Sequence, residues 1–188
     1  MSTHVMIDLE TLSTETNAVI IALGAVKFDP EAEGIQSGFY LRIDADGQPQ
    51  IFDRHMDPKT VMWWMSASQD DARKALLSTD AIDLPSALSG FDEWFGLESM
   101  PVWGNGATFD NMILRSAYGA IGSEAPWNFR HDRCFRTFKN LAPWVTPPTQ
   151  WMPDDLPGFV KHQALYDAHL QALHLQLITA RLGLGDVS

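Results

Sequence analysis

The hexapeptide Met6-Ile7-Asp8-Leu9-Glu10-Thr11 sets the strongest limit on how this chain can fold. Its apolar residues suit a buried strand, and side chains along a strand repeat every second position. Asp8 and Glu10 therefore share one face, while Ile7 and Leu9 turn into a core. Two like charges side by side on a strand repel. A hard divalent cation between them removes that cost, because such ions take oxygen ligands. The stretch reads as half of a metal site, and the other half has to come from later in the chain.

The chain supplies a sheet around this strand. Residues 4–9 form the first strand, and residues 18–28 (AVIIALGAVKF) are too rich in β-branched residues to prefer a helix. Asp29-Pro30 and Gly34 mark a turn. Residues 36–43 then close an antiparallel meander, and Gly47 and Pro49 open a loop. Asp57-Pro58 is a helix start, with Asp as N-cap and Pro at the first helical position, running to Met65. Ser68 to Leu77 is a second helix, residues 80–83 a loop, and Leu84 to Phe95 a third helix. That third helix carries Leu84, Leu88, Phe91, Trp94 and Phe95 on one side.

Pro101 to Gly104 is a short buried strand, and a helix begins near Phe109-Asp110. Met112, Ile113, Ala117 and Ile121 suit the buried face of that helix. Residues 130–135 form a further short strand, followed by a helix through Leu141. Pro143, Pro147, Pro148, Pro153 and Pro157 make an irregular, semi-rigid loop. A long helix over residues 162–182 closes the chain before Gly183. The pattern is that of an α/β protein with a mixed sheet flanked by helices. With 188 residues and no internal linker, residues 1–188 read as a single domain.

Composition narrows the function. No apolar run reaches about 18 residues, so no membrane span is expected. There is no basic head followed by an apolar core, so a cytoplasmic protein is expected. A single cysteine, Cys134, excludes an intramolecular disulfide and a cysteine zinc cluster; a small buried residue is its simplest role. The net charge of −11 counts against a module relying on a broad basic surface. It does not count against an enzyme whose carboxylates hold metal ions, since those ions reverse the local field. Arg130, His131, Arg133, Arg136 and Lys139 form the densest basic stretch, either a solvated helix face or a ridge that contacts phosphates. His169 and His174 read as structural.

Asp110, His162 and Asp167 complete the candidate set. Five residues along a helix advance it by about 500°, so His162 and Asp167 do not share a stripe. His162 is better placed on the loop that leads into the last helix, with Asp167 on the helix. Taken singly, each has a plainer role: Asp8 and Glu10 on a solvated strand face, Asp110 as a helix cap, His162 at the surface and Asp167 solvated. Their joint occurrence is what points to a site.

Three motifs carry a family resemblance. They are Asp8-Leu-Glu10-Thr11, the Asn105-x-x-x-Phe109-Asp110 pattern, and His162-x-Ala164-x-x-Asp167-Ala168. In order and spacing, from residue 5 to about 172, the chain resembles the DEDD nucleases of the DnaQ-like type, in the branch that uses histidine. Pro58 to Trp64 and the following Gln69 resemble a subset containing the phage T4 exonuclease A and the mycobacterial RNase AS. The resemblance implies an RNase H-like fold and metal-dependent 3′→5′ exonuclease activity on single-stranded RNA or DNA ends, releasing nucleoside 5′-monophosphates. It implies two Mg²⁺ or Mn²⁺ ions held by Asp8, Glu10, Asp110 and Asp167, with His162 as general base. Thr11, Leu12, Trp63, Trp64, Asn105 and Phe109 are the expected substrate contacts. The subset includes dimers, and the Trp-rich middle region suits an interface. The alternative function is a non-catalytic nucleic-acid-binding or assembly module on the same fold. A phosphatase with an aspartyl nucleophile would leave His162 unexplained.

Overall fold

A computed structural model describes residues 2–78, 80–147 and 160–184. Strand β1 (His4–Thr11) lies inside a six-stranded sheet ordered β4-β3-β2-β1-β5-β6. The meander expected from the sequence is present: β2 (Ile20–Phe28) pairs antiparallel with β1, and β3 (Ile35–Ile43) antiparallel with β2. On the other side of β1, β5 (Val102–Gly104) and β6 (Asp132–Cys134) run parallel to it. The sheet is therefore mixed.

Alternation along β1 divides two cores. Val5, Ile7 and Leu9 face a cluster with Phe91 and Phe95 of α4 (Leu84–Phe95) and Ile113 and Leu114 of α5 (Asp110–Ala120). Met6 faces the opposite cluster, with Phe135 of α6 (Phe135–Lys139) and Ala168, Ala172 and Leu175 of α7 (Ala164–Leu182). Both faces of the sheet are covered, as a parallel inner strand requires. Asp8 and Glu10 fall on the Met6 face, beneath α7, and Gln171 of α7 bonds to Asp8 there.

Several local expectations are corrected. The loop after Gly47 contains a short helix, α1 (Gln48–Phe52), with Pro49 in its first turn, where a missing N–H costs nothing. Gln48 anchors it by bonding the backbone of Ile20 through both ends of its amide. Residues 80–83 are not all loop: β4 (Ala81–Ile82) pairs parallel with β3. The helix from Asp57 is α2 (Pro58–Trp64), and the segment from Ser68 splits into a 3-10 turn and α3 (Asp70–Leu76).

Met112 is exposed, and the buried face of α5 is instead Ile113, Leu114, Ala117 and Tyr118, joined by Asn111. The segment after β6 is helical only to Lys139. Cys134 is partly exposed rather than buried. Most of the proline-rich segment lies outside the described residues. No helix among the described residues is long and apolar enough to cross a membrane.

Candidate active site

Four carboxylates and a histidine from three separate stretches line one open cleft of about 550 Å³ at the end of β1. β1 contributes Asp8 and Glu10. Asp110 is the first residue of α5, just after the β5 strand end. Its Oδ1 accepts from the Leu9 backbone N–H at 3.3 Å, which ties it to β1 across 101 positions of chain. Gly104 makes room for it: a Cβ there would stand 2.8 Å from Asp110 Cβ and 2.5 Å from Asn111 Oδ1.

Asp167 sits in the first turn of α7, and its Oδ2 accepts from the His162 N–H at 2.8 Å. As expected, His162 precedes the helix, which begins at Ala164. Its backbone is left-handed, with φ 65°. That conformation is uncommon outside glycine and asparagine, and it marks a residue held in place by its surroundings. The His162 ring packs edge-on against Trp63, with centroids 5.0 Å apart. Ligand atoms of Glu10, His162 and Asp167 all lie within 4.8 Å of one another.

The electrostatics are those of a crowded anionic centre. Burial, then the charges of Asp110, Glu10 and Asp167, hold the Asp8 carboxyl well above its ordinary range. Glu10 is pushed up to about 8 by burial, then by Asp167 and Asp110. Burial raises Asp110 to about 7, against backbone hydrogen bonds and the Arg136 charge that pull it down. Burial also raises Asp167. Burial lowers His162, against the opposing pull of Asp167, so its ring favours the neutral form. No described Lys or Arg forms an ion pair with any of these carboxylates. Glu10 Oε1 is buried without a hydrogen-bond partner among the described residues. An orphaned carboxylate oxygen among raised carboxylates is a donor set suited to hard divalent cations.

Of the expected substrate contacts, Thr11, Trp63, Trp64, Asn105 and Phe109 line the cleft. Leu12 packs instead beside Val19, Ile21, Trp64 and Ala72. Trp64 is only 6% exposed, and its indole N–H donates to the Thr11 carbonyl at 2.9 Å, so it props the strand end. Trp63 is 41% exposed. The basic stretch does not form a ridge on the cleft. Arg133 bonds the carbonyls of Arg130 and Asp132, Arg130 stacks on Phe129, Lys139 lies over Phe135, and only Arg136 lines the site.

Two groups escaped the sequence reading. Gln171 donates from Nε2 to Asp8 Oδ1 at 2.8 Å, and its Oε1 is buried without a partner among the described residues. Its place four residues after Asp167, on the same helix stripe, was the available signal. Lys59 and Lys161 also line the cleft and carried no signal of their own.

A mixed six-stranded sheet flanked by helices, with a carboxylate cluster at the end of its inner strand, is the RNase H-like fold. Solved structures agree on the fold. The zinc-bound complex of E. coli exonuclease I with single-stranded DNA superposes with a TM-score of 0.65 at 16% identity, over 97% of this chain and 41% of that one. The exonuclease I of Methylocaldum szegediense gives 0.65 at 15% identity, over 97% and 41%. The chain thus spans about two-fifths of the length of the exonuclease I chains it matches. The exodeoxyribonuclease of Enterobacteria phage T4 is 24% identical over 207 residues, covering 96% of this chain and 91% of the relative. The family model described as the 3′–5′ exoribonuclease Rv2179c-like domain matches residues 3–179, and this chain belongs to that family. Its enzyme class is that of a 3′→5′ exonuclease, a hydrolase, as the three sequence motifs implied.

Proposed function

We propose that this protein removes nucleoside 5′-monophosphates one at a time from the 3′ end of single-stranded nucleic acid, RNA or DNA. The observation that carries this reading is the convergence of Asp8, Glu10, Asp110, Asp167 and His162 on one cleft. The four carboxylates would hold two Mg²⁺ or Mn²⁺ ions. Two such ions, when bound, stabilise charge on the phosphate and on the attacking and leaving oxygens.

The chain's own residues do the rest. His162, kept neutral by burial, takes the proton of the attacking water. The water oxygen bonds to phosphorus as the bond to the upstream 3′-oxygen breaks, and that oxygen takes a proton from solvent. Asp167 orients His162 through the backbone N–H it accepts. Trp63, on the rim and in contact with His162, offers the terminal base an aromatic face. Residues 1–188 act as one domain in this reading.

The test uses 5′-labelled and 3′-labelled RNA and DNA oligomers with Mg²⁺, Mn²⁺ or chelator. Stepwise shortening from the 3′ end that stops in chelator is expected. No shortening of any substrate with either metal would overturn the proposal. His162→Ala should lower kcat by roughly 10²–10⁴-fold if the residue is the general base, and full activity would remove that role.

A further inference from the structure

A protein of net charge −11 has to hold a polyanion, yet among the described residues only three cationic side chains of Lys and Arg reach the cleft: Lys59, Lys161 and Arg136. Arg136 differs from the two lysines. Its Nη2 donates to the Asn105 carbonyl at 2.6 Å, and its guanidinium lies against Gly106, 3.1 Å from where a Cβ would stand. Neither lysine ammonium has such an anchor among the described residues. Arg136 has no carboxylate partner among the described residues, although its charge is felt at Asp110. A guanidinium carries five N–H donors in a rigid fork matched to phosphate, and one anchored bond leaves the others available.

Its place in the fold gives it a direction. Trp64 packs with Val19 and Ile21, so α2 flanks the cleft on the β2 side of β1. Trp63 meets the His162 ring there and walls off that flank. Arg136 comes from α6, which follows β6 on the opposite side of β1. A terminal nucleotide held against the Trp63 wall, with its phosphate at the carboxylates, leaves the rest of the strand to exit past Asn105 and Arg136.

We infer that Arg136 is a specificity-determining residue: it binds the phosphate immediately 5′ to the scissile one and makes a strand of three nucleotides a better substrate than a dinucleotide. The inference rests on the exonuclease reading above. It adds a second phosphate subsite, built by the Asn105 carbonyl and the bare Gly106 backbone.

Two trinucleotides test it, identical except that one carries a neutral methylphosphonate in the linkage 5′ to the scissile phosphate. With the wild-type protein, KM for the methylphosphonate should be about tenfold or more higher, the size expected for one charge-assisted contact, with kcat within about threefold. With Arg136→Gln, KM for the all-phosphate strand should rise by a similar factor, and the methylphosphonate should add nothing. Arg136→Lys should restore part of the discrimination. Because each protein is its own reference, a general loss of fold in a variant cancels from the ratio. A methylphosphonate penalty that persists in Arg136→Gln, or is absent in the wild type, overturns the subsite. A wild-type protein that cleaves neither trinucleotide overturns the subsite, and the exonuclease reading falls with it only if the longer RNA and DNA oligomers are not shortened either.

Discussion

Glu10 shows what an acidic centre costs the chain that carries it. Its carboxyl is held up to about 8, whereas in an unfolded chain it titrates near 4.3. Between these values the folded, metal-free protein keeps a proton that the unfolded chain has released. Stability therefore falls as pH rises through that window. In chelator the thermal midpoint should drop from pH 5 to pH 8.5, and saturating Mg²⁺ or Mn²⁺ should flatten the slope. Glu10→Gln should raise the midpoint in chelator at pH 8.5 by roughly 4–8 °C, about 2 kcal/mol, and thermal scans that show it unchanged or lowered would contradict the crowding. Gln171 acts on the same centre from the other side, as the donor that fixes Asp8. Gln171→Leu should weaken Mn²⁺ binding by about 10–100-fold in a calorimetric titration, the usual effect of losing a residue that orients a ligand. Asp8, Glu10, Asp110, His162 and Asp167 were legible in the sequence because their types and order form motifs. Gln171 was not, because its partner lies 163 positions away, and its spacing of four from Asp167 gives a helix face but no chemistry until that partner is known.

At the scale of the element, the placing of α7 decides whether the site exists. Ala164, Ala168 and Ala172 form a buried stripe of small residues on this helix. They bring it down onto β2 at Gly24, the residue paired with Asp8 across the sheet. A Cβ at Gly24 would stand 2.2 Å from both Ala164 C and Leu165 N, which are backbone atoms that cannot rotate away. Gly24→Ala should therefore lift the start of α7, and Asp167 and His162 with it. The expected result is a loss of about 1–3 kcal/mol in denaturant unfolding and at least a hundredfold loss of kcat. Retention of both would show that α7 can shift without cost to the site. The helix, its approximate limits and the loop position of His162 could be read from sequence. The close approach could not, since Gly24 sits in an ordinary apolar strand pattern. The short α1 and β4 were missed for a related reason: each is fixed by long-range pairing, Gln48 to Ile20 and Ala81-Ile82 to Arg42-Ile43, rather than by periodicity.

For the whole molecule, the balance of charge sets how the proposed single-stranded substrate is held. With three Lys and Arg cations at the cleft among the described residues and a net charge of −11, few counterions can be displaced on binding. Single strands lose affinity with salt at a slope of about 0.7 per neutralised phosphate. The slope of log KM against log KCl should then be no steeper than about 2 between 50 and 200 mM, roughly the effect of three contacts. A markedly steeper slope would reveal a basic track elsewhere on the surface. Tryptophan usage shows the same division between what is local and what is not. Trp64 and Trp127 are core, Trp103 pairs with His4, Trp63 guards the cleft and Trp144 is exposed, although all are the same residue type in the sequence. The sequence by itself determined the mixed sheet, the strand carrying Asp8 and Glu10, and the three motifs of the family, because alternation, turn chemistry and motif order are properties of neighbouring residues. The tertiary structure alone decided that Arg136 rather than the whole basic stretch reaches the cleft, that Gln171 holds Asp8, and that His162 is turned left-handed against Trp63. Those outcomes depend on how closely distant backbones approach, which packing sets and local spacing does not encode.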